Sequence, residues 1–525
     1  MPGCGWEDMS KNRSTFTYGD HLTAGTALAI CQGKTKGILG KKSLQKVRSS
    51  QLIVSEIARG DKVVYGINSG FGPLCTTKIS PEKTRQLQSN ILKSHSVGTG
   101  QPVPADIAKL MLILKVQALA QGYSGISIST LERLIWHIEN DIIPVVPSQG
   151  SVGASGDLAP LAHLFLPLIG MGEVNYQGKA QPAGAVLQKA GLNPLELNPK
   201  EGLALINGTQ FMAAFAVLVL HKLHRCLSQA DFIAALVLEG LLGSAQPFMS
   251  ELHSLRPHKG VMHVAARIRT LLQGSAIVES HKNCERVQDP YSLRCIPQVH
   301  GASRSAWLHL KEVLEIELNS VTDNPVIISP NLAISGGSFH GQPIALPLDY
   351  VCMAAAELGS ISDRRIYLAL DGSVTGLPKL LVEETGLNSG FMIMQYTSAA
   401  LASENKTSCF PASVDSIPTS LGQEDHVSMG SIAARKALGV VENLESILAI
   451  ELLCASQALD FRRPLKTTPV LEEIHSTVRK KVSHVTDDRI FAEDIEIVRK
   501  MLSGGFILAW NERLESEYYD LFERF

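Results

Sequence analysis

The stretch Gly150-Ser151-Val152-Gly153-Ala154-Ser155-Gly156-Asp157 holds the residues whose types and spacing point most directly to chemistry. Three chemistries are open to it. A phosphate cradle needs a strand leading in and, in its P-loop form, a Gly-Lys-Ser/Thr ending. Pro144 and Pro147 interrupt the preceding run, and no lysine follows. A nucleophile elbow needs Gly-x-Ser-x-Gly, and Asp157 stands where the last glycine belongs. The third chemistry is covalent. With the loop held bent, the amide nitrogen of Gly156 attacks the carbonyl carbon of Ala154, and loss of water closes a five-membered ring. Loss of the Ser155 hydroxyl as a second water leaves an exocyclic methylene. Glycine permits the tight backbone, alanine adds no bulk, and serine supplies the leaving oxygen. The product, 4-methylidene-imidazol-5-one (MIO), is a neutral carbon electrophile made from the chain itself, so no external cofactor is required. For such a loop taken alone, a plain polar turn is the ordinary alternative.

A loop of this kind needs a scaffold. The chain has 525 residues, 45% hydrophobic and 19% charged, which suits a folded core rather than a disordered chain. Asp20 is placed to cap a helix over 22–31. Residues 65–72 form a glycine-rich loop, 104–121 and 130–141 have helical spacing, and 147–156 shows neither a helical nor a strand period. Longer helical patterns follow over 211–242, 307–318, 347–368 and 432–455. In the last of these, Ala434, Leu438, Val441, Leu444, Leu448 and Leu452 recur in steps of three or four. Loops at 273–291, 335–342 and 401–426 interrupt the helices. The expected fold is mainly α. A flexible segment, 1–15, precedes a smaller mixed N-terminal domain, 16–205, that carries the electrophile loop, and 206–525 forms a long central helix bundle with C-terminal helices.

Composition removes several function classes. A net charge of -2 gives no reason to bind nucleic acid or an anionic membrane. The nine cysteines (Cys4, Cys31, Cys75, Cys226, Cys284, Cys295, Cys352, Cys409 and Cys454) are odd in number, irregularly spaced and without a C-x-x-C pair. That argues against a disulfide framework and for a reducing, cytoplasmic setting. The N-terminus is polar and unlike a signal peptide. The uncharged run 202–220 contains Asn207, Thr209 and Gln210, which favours a buried helix over a membrane span. There is no H-E-x-x-H, and the sixteen histidines show no ligand spacing, so no metal is expected.

Residues 150–163, reading GSVGASGDLAPLAH, resemble the signature of the aromatic amino acid ammonia-lyases. A fourteen-residue match is far more specific than a glycine pattern. The likeness runs from about Phe16 onward, and the length agrees with the compact, histidine-type members. The resemblance implies elimination of ammonia from an amino acid. Ammonia leaves poorly and the β-hydrogen is barely acidic, so an electrophile for the amine, a base, and a fixed cation for the carboxylate are all needed. For the base, Tyr65 in YGINSGFG resembles the family's catalytic tyrosine loop; its ordinary alternative is a packed tyrosine at a glycine turn. Arg294, in Gln288-Asp289-Pro290-Tyr291-Ser292-Leu293-Arg294, resembles the family's Q-D-x-Y-x-x-R segment. Its guanidinium can grip a carboxylate through two parallel hydrogen bonds, and the likeness puts Tyr291 and Gln288 beside the modified ring. A surface ion pair is the plainer role for Arg294. Asn207, in Asn207-Gly208-Thr209-Gln210, matches the family asparagine that contacts the ring oxygen or the substrate amine; it could also cap the helix that follows. Phe339, in Gly336-Gly337-Ser338-Phe339-His340, matches the family phenylalanine next to the ring. Ser338 departs from the asparagine usual there.

Two positions bear on the substrate. Ser94-His95 resembles the pair found in histidine-type members, where tyrosine types have His-Leu and phenylalanine types Phe-Leu. Gln423-Glu424-Asp425-His426 also resembles the histidine type. An imidazole has two ring nitrogens that need partners, and Glu424 and His95 could each serve one. The resemblance thus implies L-histidine as substrate, trans-urocanate and ammonia as products, and a homotetramer with active sites built from several subunits. A tyrosine or phenylalanine ammonia-lyase, or an aminomutase, is the alternative within the family. A non-catalytic helical assembly protein is the alternative outside it.

Overall fold

Apolar side chains at helical spacing dominate the sequence, and the fold is mainly α, with a few short strands. The computed structural model describes residues 13–61, 63–72, 79–373, 375–514 and 516–525. Most of the expected N-terminal segment, 1–12, lies outside the described residues, as do Cys4 and Cys75. The chain divides into two compact units that are discontinuous in sequence, rather than at one break near residue 205. One holds Met1–Leu218, Glu312–Leu348 and Pro411–Arg435; the other holds Val219–Lys311, Asp349–Phe410 and Lys436–Phe525.

In the first unit, β1 (Ser14–Tyr18) and β2 (Thr35–Leu39) pair in parallel, so regular structure begins before residue 16. Between them, α1 (Ala24–Cys31) is capped by Thr23 and not by Asp20: the Thr23 hydroxyl accepts the Thr26 N–H at 3.1 Å. Then come α2 (Lys41–Arg59), α3 (Pro81–His95), β3 (Thr99–Pro102), α4 (Ala105–Ala120) and α5 (Ile128–Glu139). Ser127 caps α5 by accepting the Thr130 N–H, which starts that helix earlier than the apolar pattern does. Helix α4 is buried almost all round, including Lys115 and Gln117. Buried polar groups need partners; Gln117 accepts the Gly19 N–H at 2.9 Å and donates to the Asp20 carbonyl at 2.7 Å.

After β4 (Ile143–Pro144), the expected loop from 147 opens instead as β5 (Pro147–Gln149), which pairs antiparallel with β3. Its partner is distant in sequence, so no local period marks it. Next follow α6 (Leu158–Phe165), β6 (Glu173–Tyr176), β7 (Lys179–Pro182), α7 (Ala183–Lys189), α8 (Glu201–Ile206) and α9 (Gln210–Gly240). The run 202–220 is therefore not one helix. It breaks at Asn207-Gly208-Thr209, where Gly208 has φ +126°. Helix α9 and the helix Gln342–Asp371 are long and apolar enough to cross a membrane, but 78% and 61% of their most apolar windows are buried within the fold.

The second unit is helical. Residues 401–408, expected in a loop, are the end of a helix, Met392–Ser408. Polar residues hide its period, and one of them, Asn405, is buried and donates to the Val440 carbonyl. A buried ion cluster lies within this unit. Asp231 accepts from Arg267 Nε at 2.7 Å and from Arg304 Nη2 at 2.8 Å, and Glu523 accepts from Arg304 at 2.9 Å. Removing one partner from such a cluster is strongly destabilising, typically about 3–5 kcal/mol, because it leaves a buried charge uncompensated. The cysteines among the described residues are all free thiols.

Candidate active site

The Ala154-Ser155-Gly156 turn lies between β5 and α6 and is gripped from two sides. On one side, Gly156 bridges Gly208, and the Asp157 N–H donates to the Gly208 carbonyl at 2.8 Å. On the other, the Met429 N–H donates to the Val152 carbonyl at 2.9 Å and the Ser428 hydroxyl donates to the Gly153 carbonyl at 3.1 Å. Ala154 is buried against Val427 and Met429. Gly156 has φ +72°, and a Cβ there would lie 2.1 Å from the Gly208 carbonyl oxygen. A Cβ on Gly153 would lie 2.2 Å from Ser428 Oγ. Only glycine fits at these positions, by conformation and by space. The result is a narrow, bent cradle of small residues, and it fits the ring that Ala154, Ser155 and Gly156 would form.

Asp157 joins this loop to a helix. Its Oδ2 accepts the N–H groups of Phe211 and Met212, both at 3.1 Å, in the first turn of α9. Its Oδ1 accepts from Ser431 at 3.2 Å and Ser151 at 3.4 Å. Burial pushes the carboxyl up to about 7, against the pull of those hydrogen bonds.

Ser155 Oγ donates to Glu424 Oε1 at 2.8 Å. The two expected site residues meet directly, although Glu424 comes from a distant segment, 411–435, folded back into the first unit. His95 is the last residue of α3, half-buried, with Nδ1 3.0 Å from Ser94 Oγ. Burial lowers its pKa, which favours the neutral ring. Tyr65 is half-buried, and the Gly72 N–H points at its oxygen from 3.4 Å. A Cβ on Gly66 would lie 2.1 Å from Leu203 Cδ2, so this turn also depends on glycine. Phe339 is half-buried in the turn before the helix Gln342–Asp371.

Asn207 ends α8 rather than capping α9. Its Nδ2 donates to the Asn324 carbonyl at 2.8 Å and to Asp323 Oδ1 at 3.3 Å, so its amide donor faces these groups. Behind it lie charges that sequence reasoning missed. Lys115 donates to the Asn207 carbonyl, and Lys200 pairs with Asp323 at 2.5 Å. All three ions are buried. Burial pushes Lys115 down to about 7, with Asp323 and Asp157 opposing the shift. Burial raises the Asp323 carboxyl, but Lys200 and Lys115 outweigh it and hold the group below its usual value. The available signal was a lone lysine in the apolar run LMLILKVQALA, residues 110–120.

Gln288, Tyr291 and Arg294 sit on the second unit, where they help line an open hollow of about 910 Å³. Tyr291 is 68% exposed. The Arg294 guanidinium lies 4.9 Å from the centre of the Tyr291 ring, and its Nε donates to the Asp289 carbonyl at 2.8 Å. No carboxylate pairs with Arg294 among the described residues. The expected site residues thus form two groups. Tyr65, His95, Ala154, Ser155, Gly156, Asn207, Phe339 and Glu424 are on the first unit, and Gln288, Tyr291 and Arg294 are on the second.

The profile of the aromatic amino acid lyase family matches residues 22–480. The chain belongs to the aromatic amino acid lyase family. It is therefore a carbon–nitrogen lyase by family. This lyase is 48% identical to the histidine ammonia-lyase of Myxococcus xanthus over 94% of its own length and 97% of that protein's. Its fold is similar to the crystal structure of histidine ammonia-lyase from Trypanosoma cruzi, with TM-score 0.89 and 38% identity over 97% of each chain. It is also similar to the tyrosine aminomutase from Streptomyces globisporus, with TM-score 0.90 and 36% identity over 96% of this chain and 99% of that one.

Proposed function

We propose that this lyase is a histidine ammonia-lyase, converting L-histidine to trans-urocanate and ammonia without oxidation. The observation that carries this reading is the 2.8 Å contact between Ser155 Oγ and Glu424 in the undehydrated chain, which puts a carboxylate at the loop. The hydroxyl leaves as the ring forms, and the carboxylate is then free to take an imidazole N–H. A carboxylate there suits an imidazole N–H. A phenyl ring would leave it unpaired, which is how polar pockets reject apolar analogues. His95, held toward its neutral form, serves the other ring nitrogen.

MIO, formed from Ala154, Ser155 and Gly156, supplies the carbon electrophile that turns the amine into a better leaving group. The remaining work falls to the chain's own side chains. Tyr65 takes the β-proton, and the Gly72 N–H is aimed at its oxygen. Arg294 holds the α-carboxylate, with Tyr291 and Gln288 beside the reacting centre. With its Nδ2 occupied by Asp323 and Asn324, Asn207 offers its Oδ1 to the substrate amine. Of the two contacts its family match allows, that one suits this orientation. Phe339 walls the ring. The enzyme works as a cytoplasmic homotetramer whose sites draw on several subunits. The free cysteines support the compartment, and the exposed apolar residues Tyr350, Met353 and Tyr367 on one helix support assembly.

The test is a product assay on L-histidine, L-tyrosine and L-phenylalanine. We expect urocanate and ammonia from L-histidine. Turnover of tyrosine or phenylalanine without histidine would overturn the reading. A β-amino acid product would mark an aminomutase instead.

A further inference from the structure

His95 and the electrophile loop belong to different segments, and one side chain links them. His163 lies in the last turn of α6, the helix that leaves the loop. Its Nε2 accepts the Gly98 N–H at 3.0 Å. Gly98 follows His95 closely, and the Val97 N–H between them turns back to the His95 carbonyl at 2.9 Å. The backbone at Gly98 is confined. A Cβ there would lie 3.2 Å from the Gln149 carbonyl oxygen and 3.3 Å from His163 Cδ2, and a Cβ on Gly150 would lie 3.2 Å from Gly98 Cα. The strand that enters the loop and the helix that leaves it therefore both hold the segment carrying His95.

Accepting an amide hydrogen at Nε2 requires a neutral ring with its proton on Nδ1. The partial burial of His163 favours that neutral state. We infer that His163 is a positioning residue: through Gly98 it sets where the His95 imidazole stands relative to Ser155, and so how firmly the substrate ring is held. The inference rests on the histidine-lyase reading and adds to it a residue that does not touch substrate.

The test is a double-mutant cycle with His163→Leu and His95→Ala, with His163→Gln as the conservative variant. Losing one hydrogen bond of this kind costs about fivefold to tenfold. We expect His163→Leu to raise KM for L-histidine by about that factor and to change kcat less. The chain should still be lighter than its sequence by two waters. His163→Gln, whose amide oxygen can accept the same N–H, should recover most of the loss. In the His95→Ala background, His163→Leu should add nothing. An unchanged KM, an equal loss in that background, or loss of the dehydration itself would overturn the inference. A parent enzyme inactive on L-histidine would count against the substrate reading alone, because hydrogen exchange still tests the anchor. Exchange at the Gly98 amide should be faster in His163→Leu and restored in His163→Gln; no change in either would overturn the anchor.

Discussion

Glu424 and Ser155 are far apart in the sequence and 2.8 Å apart in the fold. Their meeting gives the substrate reading its sharpest test. Glu424→Gln keeps the shape and removes the charge. A hydrogen bond to a charged group contributes about 1.5–3 kcal/mol, or roughly tenfold to a hundredfold in rate. We expect kcat/KM for L-histidine to fall by that range, with no gain in folding defects by thermal melting. An unchanged kcat/KM would mean that Glu424 does not hold the imidazole. At this scale the sequence offers a motif where the residues are local, as in Gly150–Asp157 and the Q-D-P-Y-S-L-R run. It was illegible where a role depends on remote partners. The orientation of Asn207 is set by Asp323 and Asn324, and the buried Lys200–Asp323 pair is likewise remote in sequence. Neither can be read from neighbouring residues.

At the scale of elements, the loop's geometry depends on the parallel bridge between Gly156 and Gly208. Alanine at 156 would take a left-handed conformation with its Cβ 2.1 Å from a carbonyl oxygen. Strain of this kind costs about 1–3 kcal/mol. We expect Gly156→Ala to lower the melting temperature and to leave the chain at its full, undehydrated mass. Normal dehydration in that variant would show that the bent cradle is not what drives ring closure. The long helices were legible because their apolar period is strong. The failures have physical causes. Thr23 and Ser127 set helix starts through side-chain caps rather than through apolar spacing. Strand β5 exists only through its pairing with β3. The break between α8 and α9 is an Asn-Gly-Thr step within an apolar run.

At the scale of the whole molecule, buried titratable groups set opposing pH dependences. Burial pushes His137 and His224 down to about 4, against about 6.5 for a free imidazole. Between those values the unfolded chain binds more protons than the folded one, so each histidine's contribution is intact above about pH 6.5 and is lost as pH falls toward 4. Asp157, raised to about 7, acts oppositely. The folded chain binds the extra proton between about pH 4 and 7, so its contribution grows as pH falls. We expect the stability of the parent relative to His224→Gln to decline on acidification, and relative to Asp157→Asn to rise. Urea midpoints at several pH values check both slopes, and parallel profiles would contradict them. The division into discontinuous units is the feature of the whole molecule least visible in sequence, because 312–348 and 411–435 join the first unit only through folding. The most direct measurement is intact mass, taken with urocanate release on the same preparation. We expect the parent to be lighter than its sequence by two waters and active on L-histidine, and Ser155→Ala to be folded, lacking that dehydration, and inactive. A fully active parent with the mass of the unmodified chain would contradict the claim that Ala154, Ser155 and Gly156 form the electrophile.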